Sequence, residues 1–207
     1  MKRLAITALL LLARALPQDR PVAQLLSRDI YLHEIEPSAA EVQRAKQGPQ
    51  TQPFDTWLLA ARAERLKMRI GRPLMEEFCR RQNALPTDQD ISDFADAMSR
   101  LNRTPAAGSP ASTRDSFLRI GRMWVGAWKF HQALYRVYGG RVIWQQAGIE
   151  PIEAYRKFLA EHEAKGSFRI YDEPLRAQFW EYYVSNKHVF VEPKDIDFDT
   201  PWWLKPR

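Results

Sequence analysis

A Cys–His nucleophile in this sequence would pair Cys79, its one cysteine, with one of four histidines, His33, His131, His162 or His188. A thiolate nucleophile needs an imidazole within hydrogen-bond reach and a third group to orient that imidazole. No spacing in the sequence brings a histidine to Cys79, so the thiol is expected to pack as a small apolar side chain. His33-Glu34-Ile35-Glu36 would put alternate side chains on one face of a strand. One histidine with two carboxylates is a thin metal-ligand set, and solvated strand-edge charges explain it better. Asp195-Ile196-Asp197-Phe198-Asp199 alternates carboxylates as a calcium loop does, but lacks the turn glycine and the closing bidentate glutamate. A solvated, extended tail is expected there. Gly139-Gly140-Arg141 follows a helical pattern, not a strand, and lacks the Lys-Ser/Thr of a phosphate-binding loop. The expectation is a non-catalytic protein with no metal and no cofactor.

The aromatic residues are the better lead. Seven Trp, seven Tyr and ten Phe make up 12% of the chain, many of them between Trp124 and Trp203. Such rings give large contact areas with few rotatable bonds. Trp124, Trp128, Tyr135 and Tyr155 fall on helical stripes and are expected in the core. Phe130 falls off the main stripe of its helix, and Trp202-Trp203 sit in a proline-flanked tail. Phe130, Trp202 and Trp203 are therefore the expected peptide- or partner-binding residues. Arg62, Arg65, Lys67, Arg69, Arg72, Arg80 and Arg81 are dense enough to suggest phosphate or lipid-headgroup contacts. Glu64, Glu76 and Glu77 are interleaved with them, which reads as a solvated face of ion pairs. Lys2, Arg3 and Arg14 carry part of the modest net charge of +6, so no nucleic-acid partner is expected.

The elements around these residues begin with an export-signal layout over residues 1–15: basic Lys2-Arg3, an apolar run from Leu4 to Leu12, then Ala13-Arg14-Ala15. That run is far short of the roughly twenty residues a membrane-spanning helix needs. A periplasmic or otherwise exported protein without stable membrane insertion is expected, and its lone cysteine allows no internal disulfide. Val22–Leu26 and Ile30–Leu32 flank a polar turn and read as a hairpin. Trp57, Leu58, Ala61, Arg65 and Met68 recur at helical spacing, with Gly71 and Pro73 expected to break or kink that helix. Thr87 precedes Asp88 and Asp90 as an N-cap. Residues 102–113 read as a linker. A long helix spans Asp115–Tyr138 and ends at Gly139-Gly140. A strand follows at Arg141–Gln145, then a helix from Glu150-Pro151 to Gly166, a short strand at Ser167–Tyr171 and a helix over Leu175–Val184. The expected organisation is a first helical segment over 22–101, a second over 114–187 packing on it, and an extended tail over 188–207.

From Val22 to Leu101 the order of these pieces resembles the N-terminal domain of SurA-type periplasmic chaperones. The short β element spans Val22-Ala23 to Ile30-Tyr31-Leu32-His33-Glu34-Ile35. The long helix ends in Arg69-Ile70 and Leu74-Met75-Glu76-Glu77-Phe78-Cys79-Arg80-Arg81. The acid-capped start is Leu85-Pro86-Thr87-Asp88-Gln89-Asp90-Ile91. The resemblance implies a mainly α domain with a small β-hairpin or short sheet, and chaperone-like binding of unfolded or extended polypeptide. Trp144 to Arg207 is too short and too helical for the parvulin isomerase domain that usually follows, so no proline isomerisation is implied. Burial in an apolar groove and backbone pairing at a strand edge would supply the binding energy. An assembly factor holding one folded envelope partner by its aromatic tail is the alternative, and a Cys79-dependent enzyme is the third reading.

Overall fold

Leu26 and Ser27 take positive φ values of 48° and 67°. Two successive left-handed residues make the tight turn whose twist suits a two-residue hairpin. They join β1 (Pro21–Leu25) to β2 (Arg28–Tyr31). A computed structural model describes residues 20–49, 51–101, 113–145 and 148–205. The expected signal over 1–15 and residues 102–112 of the expected linker lie outside the described residues. A third strand, β5 (Phe168–Ile170), pairs antiparallel on the other side of β1, giving the order β2-β1-β5. Ala23 lies opposite both Ile30 and Ile170. The register shifts between Pro21 and Ala23. Such a bulge breaks the alternation of faces, and Val22 and Ala23 are both buried.

Among the described residues the chain forms six α-helices and two small antiparallel sheets, a mainly α fold. A reciprocal pair caps α1 (Ala39–Gln47): the Glu41 amide donates to Ser38 Oγ and the Ser38 amide to the Glu41 carboxylate. Helix α2 (Phe54–Arg81) runs through Gly71 and Pro73 without the break expected there. Its buried face is Ala63, Leu66, Ile70, Leu74 and Phe78, while Met68 on the expected stripe is 69% exposed. Both faces have helical spacing; the sheet and α6 (Glu173–Val184) lie against the one without arginines. Helices α3 (Asp88–Leu101) and α4 (Arg114–Tyr138) pack closely at Gly121, where an added Cβ would sit 2.9 Å from Ile91 Cγ2. Helix α4 ends at Gly139, with φ +55°, the expected glycine stop. A hairpin of β3 (Ile143–Gln145) and β4 (Gly148–Glu150) leads into α5 (Ile152–Ala164).

Two apolar cores share α4. The first gathers the three-stranded sheet, α2, α5, α6 and the C-terminal part of α4 through Phe130 and Leu134. The second gathers α3, the N-terminal part of α4 through Phe117, Val125 and Trp128, the β3–β4 hairpin, and the tail through Val191, Phe198 and Trp203. Two residues apart on a helix is about half a turn, so Trp128 and Phe130 serve opposite cores. Leaving the main stripe therefore does not expose Phe130: it is 1% exposed, with its ring edge-on to Phe78, Tyr155 and Phe158. The tail is likewise not extended and solvated. It forms 3-10 turns at Pro193–Asp195 and Trp202–Leu204. Trp203 is 6% exposed, its ring 5.2 Å from Phe94 and 6.0 Å from Trp128.

Candidate functional site

Trp124, Ala127, Trp128 and His131 follow the i, i+3, i+4, i+7 spacing of one helix face, and on α4 they form one wall of a cleft of about 310 Å³. Gln145 of β3 and Gly148, Ile149 and Glu150 of β4 form the opposite side, and Trp202 closes it from the tail. Gly148 has φ +114°, and a Cβ there would stand 3.3 Å from Trp202 Cδ1. Glycine thus lets the indole lie against the strand. The Trp202 and Trp124 rings meet almost at right angles, 80° apart with centroids at 6.0 Å.

Glu150 is the charged group of this lining. Tyr182 on α6 donates its hydroxyl to Glu150 Oε2 at 2.8 Å, and Gln145 Nε2 donates to the Tyr182 hydroxyl oxygen at 2.7 Å. Burial pushes the Glu150 carboxyl up from its ordinary value; hydrogen bonds from Tyr182 and Gln145 and the nearby charges of His188 and Lys67 oppose that rise. His188 Nε2 lies 2.7 Å from the Tyr182 carbonyl oxygen. Lys67 Nζ sits 5.2 Å from the Tyr182 ring centre and 5.8 Å from that of Tyr183, and pairs with Glu64 at 2.7 Å. Burial also pushes the Tyr155, Tyr182 and Tyr183 hydroxyls well above their ordinary range, so they remain donors.

His131 is held neutral. Its enclosure lowers its pKa to about 4, only partly offset by a hydrogen bond to the Ile149 backbone. Nε2 lies 3.0 Å from the Tyr155 hydroxyl. A phenol that stays protonated donates to Nε2, and the ring's other nitrogen then carries the proton for the Ile149 carbonyl. The cleft thus combines aromatic walls, one partly buried carboxyl and a neutral imidazole.

Of the three residues expected to bind, only Trp202 lines this cleft; Phe130 and Trp203 are packed in the two cores. Cys79 is buried in the first core, where burial pushes its thiol up. The His33–Glu36 stretch contains a 3-10 turn, not a strand; Glu34 there accepts the Tyr31 amide and pairs with Arg28 and Arg69. The Thr200 amide, then Lys205 and the Asp199 amide, hold the Asp197 carboxyl down at about 2. Among the described residues, no group of three His, Cys, Asp or Glu side chains is gathered as for a metal ion. No described helix is long and apolar enough to cross a membrane. Every basic residue of the dense α2 series has a carboxylate partner: Arg62 with Glu36, Arg65 with Glu41, Lys67 with Glu64, Arg69 with Glu34, Arg72 with Glu76, and Arg80 and Arg81 with Glu77.

Sequence reasoning missed Glu150 and Gln145, and weighed His131 for chemistry only as a partner for Cys79. The Trp124–His131 spacing was visible, but a stripe of that kind marks a core as readily as a cleft. Glu150 stood out only as the residue before a helix-starting proline. Comparison of the chain with protein-family models, curated proteins and solved structures finds no match.

Proposed function

We propose that this is an exported, non-catalytic binding protein that takes a short segment of extended polypeptide at the cleft between α4, β4 and the C-terminal turn. The observation that carries the reading is a cleft walled by three tryptophans with one carboxyl in its lining. Gly148, Ile149 and Glu150 line the cavity, and β4 is the outer strand of its two-stranded sheet. The far side of β3 is occupied by the chain itself, where Trp144 N–H donates to the Val189 carbonyl at 3.0 Å. The Ile149 carbonyl on the outer side of β4 is already taken by His131, so a peptide would be held by a side chain seated among the rings of the cleft, not by strand pairing.

Ligand pockets run from about 300 to 1,000 Å³. At the lower end of that range, this cleft takes one or two side chains and not a folded domain. Its size favours a defined segment, so recognition of one envelope partner is the second reading beside a broad chaperone activity. The SurA-like stretch over 22–101 is consistent with peptide binding, although the cleft is built from residues beyond it.

Tryptophan fluorescence tests the proposal, because Trp124, Trp128 and Trp202 would report entry of a ligand. A saturable change with extended pentapeptides, lost in Trp202→Ala, is the expected result. A folded protein that shows none with any peptide overturns it. Suppressed aggregation of two unrelated unfolded clients would favour the broad chaperone over the single partner.

A further inference from the structure

We propose, resting on the peptide-binding reading above, that the side chain seated in the cleft is an arginine, its guanidinium stacked on the tryptophan faces and countered by the Glu150 carboxylate. The argument begins with charge. The lining consists of Trp124, Ala127, Trp128, His131, Gln145, Gly148, Ile149, Glu150 and Trp202. Glu150 is acidic, and His131 stays uncharged between Tyr155 and the Ile149 carbonyl. The cation complementary to Glu150 is absent from this wall, and a ligand is left to bring it.

Shape points the same way. Trp124 and Trp202 form a corner of perpendicular rings in the cleft that Glu150 also lines. A cation over an indole face is attracted by the ring's negative quadrupole. Arginine also has a planar guanidinium that stacks on rings while its N–H groups reach a carboxylate, which a lysine ammonium does less well. Glu150 is already aimed by Tyr182 at 2.8 Å, so an entering guanidinium meets an oriented acceptor.

The groups around Glu150 leave the position open. Lys67, on α2, is engaged with Glu64 and the Tyr182 and Tyr183 rings and is not part of the cleft wall. His188 is bound to the Tyr182 carbonyl. Tyr155, Tyr182 and Tyr183 face the same region as neutral hydroxyls. Lys67 over two tyrosines is the same cation–ring contact, already made within the molecule.

The test is a fluorescence-anisotropy titration of the full chain with labelled Val-Thr-X-Thr-Val peptides, X being arginine, lysine, citrulline, norleucine or glutamate. Arginine should bind at least tenfold tighter than citrulline and norleucine, and glutamate should bind worst. Glu150→Gln should cost the arginine peptide about tenfold and leave norleucine unchanged, with a thermal melt to show that the variant is folded. Trp124→Leu, which keeps the carboxylate, should also weaken arginine selectively. Equal binding of arginine, citrulline and norleucine overturns the arginine assignment and leaves peptide binding standing. If no peptide binds, the peptide reading falls, and N-acetylarginine amide decides the site. Fluorescence quenching by that compound in the wild type but not in Glu150→Gln retains the cation pocket; no quenching removes it.

Discussion

The Tyr155 hydroxyl and His131 Nε2, 3.0 Å apart, join α5 to α4 where the two cores meet. Tyr155 packs on Phe130 in one core, while His131 lines the cleft beside the other. One neutral hydrogen bond therefore ties the state of the cleft to the packing behind it.

The burial of His131 makes stability depend on pH. The His131 pKa is about 4 in the folded chain against an ordinary 6.5. Between those values the unfolded chain binds the proton and the folded chain does not, so stability falls as pH drops from 6.5 towards 4. The loss is on the order of 3 kcal/mol. Urea midpoints measured at half-unit steps should show it, and His131→Gln should flatten the slope.

Glu150 acts in the opposite sense. Its folded pKa is raised, so between its unfolded and folded values the folded chain holds the extra proton and stability declines as pH rises. Tyr182→Phe removes a donor to the carboxylate and should raise that pKa further, at a stability cost of about 1–3 kcal/mol near neutral pH. Carbon-detected NMR titration of the Glu150 carboxyl checks the direction; an unchanged or lower pKa would refute it.

The paired tryptophans of the tail should separate fold from binding. Trp203 is 6% exposed and packs on Phe94 and Trp128, so Trp203→Ala should cost about 3–5 kcal/mol. Trp202 is only partly buried, and Trp202→Ala should cost clearly less while abolishing the fluorescence response to peptide. Thermal melts of the two variants side by side give the comparison.

Gly121 tests the contact between α3 and α4. Replacing a mid-helix glycine ordinarily gains about 1 kcal/mol of helix propensity. Here a Cβ would stand 2.9 Å from Ile91 Cγ2 and 3.2 Å from Phe94 Cδ1, and overpacking costs about 1–3 kcal/mol. For Gly121→Val the clash should win, lowering the melting temperature by several degrees. Gly126, whose Cβ would meet Pro86 only at 3.8 Å, should tolerate alanine.

Local signals were legible in the sequence. The Thr87–Asp90 start is present, with each residue's amide donating to the other's side chain. Gly139 and Gly166 adopt the positive φ of helix stops, and the first hairpin forms, although its turn is Leu26–Ser27 and the expected turn residues Arg28 and Asp29 belong to β2. Features set by distant partners were not legible. Nothing near Phe168 indicates that it will pair with Leu25, and nothing near Phe130 reveals a helix with a core on each side. Met68 and Ile70 both belong to helical stripes of α2, and only the elements packed against α2 decide which is buried. Glu150 escaped notice for the same reason: its partner Tyr182 and the indole of Trp202 come from other parts of the chain.

The pairing of β1 with β5 has a consequence for the order in which this chain gains structure. β1 is the middle strand of its sheet, yet one of its neighbours is made only after α5. A two-stranded hairpin alone is marginal in water. As the polypeptide leaves the ribosome, its opening residues have no finished sheet to enter until Phe168–Ile170 emerges. Contacts so far apart along the chain slow folding. The first core, to which Phe168 and Ile170 belong, is therefore among the last parts of the molecule that synthesis can complete.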